Sequence, residues 1–428
     1  MKKVLIITYY WPPSGGPGVQ RALKFAKYLP SFGWQPIILT VRQGEFPQLD
    51  ETLVYEIPMQ CRVYRSSNLE PFLLYKKLTG RKKDDPLPTY ILNTGKNENW
   101  IERILKWIRL NIFIPDAKIG WIPFAVSAGL RIIKKEKIDL IFSTSPPHTV
   151  QIIAKNIARL SGLKWIADFR DPWMEIVYYQ NLKRNPVSVY IDHHLEKSVL
   201  NQASVITAIS PGLVNTLQHK VNRDEFRCIF NGFDPDDFMN IKVASNEIFT
   251  IAYSGFLSED RIPYPLLPAL QKFKQGQTDF RLKLIGTICE AFLKLLQEYD
   301  LMDKVELINY LPHKQLLQVL ANSDALLLVI DKVQDNQGFI TGKIFDYLGC
   351  KKPIFGIGPV EGDAARILSE TGSGLMLDYE DHRGVYDTLV SYYREWEKGI
   401  TQFLFRIDPY SREHLTGELV ALMDQLSE

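Results

Sequence analysis

Apolar positions along this chain fall into short unbroken runs, separated by longer stretches in which they recur every three or four residues. The first run, VLIIT at residues 4–8, has no polar interruption, as expected of a strand covered on both faces of a parallel sheet. Val19, Leu23, Ala26 and Leu29 then recur at helical spacing. QPIILTV (35–41), IDLIFST (138–144), WIADF (165–169), ASVITAIS (203–210) and CIF (228–230) read as further strands. Between two of them, Val150, Ile153, Ala154 and Ile157 share one face of a helix. A polar, turn-rich stretch at 231–248 breaks the pattern and reads as an interdomain linker. The alternation then restarts with TIAYSG (250–255), RLKLIG (281–286), VELINY (305–310), ALLLVI (325–330), PIFGIG (353–358) and GLMLD (374–378). Helical stretches lie between them, around Leu266–Phe273, Ala291–Tyr299, Lys314–Ser323, Gly342–Cys350 and Asp363–Glu370.

Strands interleaved with helices predict an α/β protein of two doubly wound, Rossmann-like domains facing each other across a cleft that would hold the ligand. The expected division is an N-terminal domain at 1–235 with an irregular insertion at about 42–137, and a C-terminal domain at 236–405. A last helix at 406–428 is expected to cross back to the N-terminal domain. The length of 428 residues agrees, since one core rarely covers so much chain.

Composition narrows the class without choosing it. Apolar residues at 46% and charged residues at 23% suit a soluble globular protein. The formal net charge of +2 is too small to argue for nucleic acid. Cys61, Cys228, Cys289 and Cys350 lie far apart with no metal-ligand spacing, so they read as buried reduced thiols of a cytoplasmic protein, and no metal site is expected. No apolar run reaches the roughly 18 residues that span a bilayer. The short first run, followed by WPPSGG, reads as a strand and not as a signal peptide. Within the insertion, KKLTGRKKDDP (76–86) is basic and turn-rich, and NWIERILKWIRLNIFIPDAKIGWIPFAV (99–126) mixes aromatics with Lys and Arg. Two readings of it stand: a helix lying in a membrane surface, which would put a cytoplasmic protein at the inner face of the membrane, or an insertion packed on the first domain or lining the acceptor cleft.

Two stretches carry candidate chemistry. The loop YYWPPSGGPG follows the first strand, at the sheet edge where doubly wound proteins bind ligands. Gly15, Gly16 and Gly18 permit positive φ and close approach, and the next helix aims free N–H groups at the loop. With no GxGxxG and no acidic residue ending the second strand, a nicotinamide cofactor is a poor fit. The second stretch is QGFITGKIFDYLGCKKPIFGIGP at 337–359. Thr341 and Gly342 fall at a helix N-terminus, Lys343 adds a positive charge, and Asp346 follows three residues later.

Together these segments resemble a GT-B glycosyltransferase of the retaining family-4 type. SGGPGVQRALKFAKYL resembles that family's glycine-rich loop, CIFNGFDPDDF the segment entering the donor domain, and IAYSGFLSEDR the first donor-domain strand with its glycine, Gly255. INYLPHKQLLQVLANSDALLLVI, with Leu311, resembles the part that packs against the nucleotide base, and TGKIFDYLGCKKPIFGIGP the second half of the donor-sugar motif. The chain departs from the motif at Gly338, where a first glutamate is usual, with Asp335 as the nearby carboxylate. Phe256 stands where an Arg is usual, leaving Arg261 and Lys343 as the cations nearest a pyrophosphate. DFRDPW supplies Asp168, Arg170 and Asp171 as candidates for the acceptor site, with Arg170 where the family often has His, and His148 after STSPP as a further candidate. The resemblance implies transfer of a sugar, with retention, from a nucleotide-diphosphate sugar to a hydroxyl of a glycan or lipid-linked acceptor. The donor is then a co-substrate and no cofactor is needed. A nucleotide-sugar epimerase of the same fold and a non-catalytic nucleotide-sugar binding protein stand as alternatives.

Overall fold

The computed structural model describes residues 1–44, 46, 49–69, 100–175, 184–276, 279–400 and 403–428. The basic stretch KKLTGRKKDDP at 76–86 lies outside the described residues. The chain divides into two compact units, one made of Met1–Phe230 with Thr416–Glu428, the other of Asn231–Leu415.

The first unit is built on a seven-stranded sheet. Its strands are β1 (Lys2–Ile7), β2 (Trp34–Val41), β3 (Arg62–Ser66), β4 (Leu140–Ser145), β5 (Trp165–Phe169), β6 (Val205–Ala208) and β7 (Phe226–Cys228). They lie in the order β3-β2-β1-β4-β5-β6-β7, and every pairing is parallel. Helices α1 (Pro17–Tyr28), α2 (Trp100–Asn111), α3 (Ile122–Glu136), α4 (Thr149–Ser161), α5 (Pro186–Gln202) and α6 (Pro211–Gln218) connect them. Continuous apolar strands are what a sheet covered on both faces requires, and Val4, Leu5, Ile6 and Ile7 are accordingly buried. The order reverses at β1, which pairs with β2 on one side and β4 on the other, so the carboxyl ends of β1 and β4 mark the switch point where such sheets take ligands.

Two strand expectations need correction. The insertion is not irregular throughout. It contains β3, a five-residue edge strand whose sequence RVYRS has only Ser66 fully buried, too polar for a run of core strand to show. The expected strand CIF is displaced toward the N-terminus, because the carbonyls of Ile229 and Phe230 have left the ladder and accept hydrogen bonds from Arg21 instead, at 2.8 and 2.7 Å.

The second unit holds a six-stranded parallel sheet in the order β10-β9-β8-β11-β12-β13. Its strands are β8 (Phe249–Ser254), β9 (Phe280–Ile285), β10 (Val305–Ile308), β11 (Ala325–Val329), β12 (Ile354–Ile357) and β13 (Gly374–Leu377). The helices are α7 (Leu266–Gln275), α8 (Glu290–Glu298), α9 (His313–Ala321), α10 (Lys343–Cys350), α11 (Asp363–Thr371) and α12 (His382–Glu397). The switch point lies between β8 and β11. A final helix, α13 (Arg412–Ser427), belongs to the first unit from Thr416 onward. There Asp424 accepts from the Trp34 indole and from the Lys2 ammonium, both at 3.1 Å.

The turn-rich stretch 231–248 is not slack. Phe238 packs edge-on against Phe233 and fills the space over Gly349, where an added Cβ would stand 2.2 Å from the ring. Ala244 N–H donates to Asn322, and the Asn246 amide to Asp324. The polar residues that suggested a linker are thus hydrogen-bonded along the second unit. Among the described residues, no helix is long and apolar enough to cross a membrane. None of the four cysteines is in a disulfide, but only Cys350 is buried; Cys61, Cys228 and Cys289 are half-buried.

Candidate active site

At the carboxyl edge of the first sheet, the glycine-rich loop divides into structural and open parts. Gly16 caps α1 at φ 84°, and nothing lies within 4 Å of where a Cβ would stand. Gly15 is buried. Gly18 is required for packing, since a Cβ there would meet the Tyr10 ring at 3.1 Å and the Arg170 guanidinium at 3.6 Å.

Three acceptor-site expectations from DFRDPW and SPPH are corrected by geometry. Asp168 is fully buried at the end of β5, with both oxygens occupied. Arg21 grips it through two bonds of 2.9 and 2.7 Å, and Thr144 and Thr207 donate at 2.6 and 2.7 Å. A carboxylate held by four donors is a buried structural ion pair, not a base facing a substrate hydroxyl. Arg170 does not present a free fork to an anion either. Its guanidinium donates to the carbonyls of Ser145, Gly18 and Pro146, tying together the loops after β1 and β4. His148 is buried, stacked on Trp173 with ring centroids 4.6 Å apart, and its Nδ1 lies 3.2 Å from the Ser145 hydroxyl. Burial, with the cations Arg170 and Lys220 adding to it, pushes the imidazole down to about 3, so the ring is neutral at ordinary pH and has no proton to give as an acid. Of the four residues, Asp171 alone is exposed, one position past Arg170.

The second sheet concentrates charge at its switch point. Lys343, the first residue of α10, donates from Nζ to the Tyr253 hydroxyl at 2.8 Å and sits 4.2 Å above that ring. Burial is the main reason its ammonium falls to about 7; Arg261 adds to the effect and Asp331 opposes it. Gly255, at φ 103°, opens the slot for this lysine, since a Cβ there would stand 2.7 Å from Lys343 Cε. Gly286, at φ 116°, allows the next turn to close over Gly255 O, which a Cβ would meet at 2.6 Å. Arg261 is paired with Asp331 through two bonds and also donates to the Phe256 carbonyl at 3.1 Å. The position that departs from the family pattern therefore lends Arg261 its backbone. Thr341 precedes α10, and its buried hydroxyl has no hydrogen-bond partner among the described residues. Gly342 is exposed, with open space at its Cβ position. Farther along α10, Asp346 Oδ1 lies 3.3 Å from His313 Nε2 at the start of α9, and Leu311 is half-buried just before it. Asp335 is exposed in a left-handed turn at φ 56°.

The structure thus brings together Gly255, Arg261 and Lys343 around Tyr253 and Asp331, and places Asp346 with His313. Sequence reasoning missed Arg21, Tyr253, Asp331 and His313. Asp331 had a readable signal: a carboxylate one residue beyond the buried run ALLLVI, at the edge where ligands bind. Tyr253, inside an apolar strand, carried none.

Comparison with known proteins agrees with this fold. Residues 89–237 match the family model described as Glycosyltransferase Family 4. Among solved structures, a sucrose-phosphate synthase from Thermosynechococcus elongatus superimposes with a TM-score of 0.62 at 15% identity, covering 100% of this chain and 99% of that one. A glycosyltransferase from Rickettsia africae ESF-5 gives 0.61 at 14% identity, over 99% and 98%. Anabaena HepE in complex with UDP-glucose gives 0.60 at 14% identity, over 99% and 100%. No curated protein sequence matches the chain. With two Rossmann-like units, the chain has the GT-B fold, and its residues 89–237 match Glycosyltransferase Family 4.

Proposed function

We propose that the protein transfers a sugar, with retention, from a nucleotide-diphosphate sugar to a hydroxyl of a glycan or lipid-linked acceptor. The observation that carries this reading is the slot at the second switch point, where Gly255 admits Lys343 beside Arg261. The leaving group of such a transfer is a nucleoside diphosphate, whose charge grows as the glycosidic bond breaks. Fixed cations in a site of low polarity stabilise that charge without reorganising. Lys343 meets it as a compact ammonium at the tip of α10, and a bound diphosphate would hold its proton on. Arg261 is oriented by Asp331 and presents its remaining N–H groups. The buried Thr341 hydroxyl, just before α10, lacks a partner among the described residues, which supports a role as a further donor at the helix tip. Asp346 takes ribose or sugar hydroxyls, and Leu311 the base. HepE was solved with UDP-glucose, which supports a uridine nucleotide as the first donor to test.

On the first unit, our candidate for the acceptor contact is Asp171, supported by its exposure. We place the protein in the cytoplasm, at the inner face of the membrane. The amphipathic α2 supports this: Ile104, Trp107 and the following Ile112 are 48%, 51% and 56% exposed, and Arg103 and Lys106 lie on the same helix. The test is product analysis with labelled UDP-, GDP-, ADP- and TDP-sugars, with and without an acceptor panel. Transfer to an acceptor with the donor's anomeric configuration supports the reading. Sugar isomerisation without an acceptor replaces it with an epimerase, and binding without turnover replaces it with a non-catalytic binding protein.

A further inference from the structure

The first unit holds a second concentration of positive charge, apart from its switch point. A cavity of about 320 Å³ is lined by Arg42, Arg65 and Arg131 together with Ser66, Ser67 and Ser127. That volume is at the lower end of what small-ligand sites use. Arg42 directly follows β2, and Arg65 to Ser67 close β3, so the cavity opens on the same carboxyl edge as the glycine-rich loop. The far wall is α3, which contributes Ser127 and Arg131 and the apolar Pro123 and Phe124.

Three guanidinium groups around one cavity repel one another unless an anion joins them. No acidic residue lines the cavity among the described residues. The contacts that the arginines make there are with carbonyls: Arg65 donates to Pro12 O at 3.1 Å and Arg131 to Ser127 O at 3.4 Å. These contacts fix the stems and leave further N–H donors on each planar fork. Ser66 is pinned by the Trp121 indole at 2.7 Å, which holds the strand end in place. Arginine forks, with serine hydroxyls between them, are the chemistry that recognises a tetrahedral oxyanion. The apolar wall of Pro123 and Phe124 suits the organic group that carries it.

We propose that this pocket binds a phosphate or phosphodiester group borne on an organic ligand. If the transfer reading above holds, that ligand is the acceptor, and its anion is anchored at the β2–β3 end of the sheet edge. Occupation of the pocket does not depend on turnover and is tested without it.

The experiment is calorimetric titration of the full chain with glycerol 3-phosphate at low salt, with glycerol as control. A parallel arm sediments the protein with phosphatidylcholine vesicles containing phosphatidylglycerol. Both arms are repeated on the single variants R42Q, R65Q and R131Q, on the triple variant R42Q/R65Q/R131Q and on Lys343→Ala. All three arginines are exposed, so the triple variant is expected to fold, and its melting midpoint is checked first. The expected result is binding in one arm that weakens about ten-fold for each single arginine replaced, disappears in the triple variant and survives in Lys343→Ala. Loss from the soluble arm identifies a water-soluble phosphate ligand, and loss from the vesicle arm alone identifies a lipid headgroup. The proposal is overturned if the triple variant binds both probes like the wild type, if neither probe binds the wild type, or if binding is lost in Lys343→Ala and kept in the triple variant. An oxyanion site with no transfer activity would leave the pocket standing and remove only the acceptor assignment.

Discussion

Replacing Lys343 with methionine keeps most of the stem's volume and removes the ammonium. Folded, the ammonium gives up its proton near 7 instead of at 10.5, chiefly because it is buried. At about 1.36 kcal/mol per pKa unit, that fall is worth roughly 5 kcal/mol against the charged form. Between pH 7 and 10.5 the unfolded chain binds more protons than the folded one, so this group makes wild-type stability rise with pH across that window. Below pH 7 the cost of the buried charge is fully present. Lys343→Met escapes that cost but removes the ammonium's bond to the Tyr253 hydroxyl, which keeps its own bond to the Phe256 carbonyl, and this takes back about 1–2 kcal/mol. The variant should therefore be more stable than the wild type by on the order of 3 kcal/mol at pH 6, and less stable by about 1–2 kcal/mol above pH 10.5, where only the lost bond remains. Turnover should meanwhile fall about 100- to 1,000-fold, as for loss of one preorganised charge at a leaving group. Urea unfolding at both pH values, with initial rates beside it, reads both effects. A variant that is less stable at pH 6 and still active would refute the reasoning, because Lys343 would then be a structural hydrogen bond and nothing more.

Asp168→Asn should cost roughly 3–5 kcal/mol of stability by leaving Arg21 buried without its charge partner, and a full-stability variant with only a lower kcat would return Asp168 to the catalytic list. Gly255→Ala should impair donor binding as strongly as Lys343→Ala, because the added methyl stands 2.7 Å from Lys343 Cε at a backbone φ of 103°; unchanged affinity in a titration would contradict the slot. His148 takes up its proton near 6.5 when unfolded and near 3 when folded, so its contribution to stability is complete above pH 6.5 and lost as the pH falls toward 3. His148→Phe should flatten the acid limb of the stability curve over that window and leave any inflection in kcat/KM near neutral pH where it was, and a displaced inflection would show that His148 titrates in the reaction.

Most of the fold was readable because parallel strands covered on both faces have to be apolar throughout, and VLIIT, WIADF and ALLLVI say so without ambiguity. β3 was not readable, since an edge strand of five residues needs no buried face of its own. The second-unit site was half legible. TGK at a helix start and a glycine after the first strand of that unit pointed to Lys343 and Gly255, but nothing local shows that one makes room for the other. The first-unit site misled for a physical reason. An Asp–Arg–Asp cluster at a strand end looks alike whether it faces substrate or staples loops, and the staple depends on Arg21, Thr144 and Thr207, which lie 147, 24 and 39 positions away in the chain.

The central claim is that the tip of α10, with Lys343 and Arg261, holds the diphosphate of a nucleotide-sugar donor. Calorimetric titration of UDP, GDP, ADP and TDP into the wild type, Lys343→Ala and Arg261→Gln tests it most directly. The expected result is that one of these nucleotides binds the wild type and loses at least ten-fold in affinity in each variant. Equal affinity across all three proteins, or no binding of any nucleotide to the wild type, would contradict it.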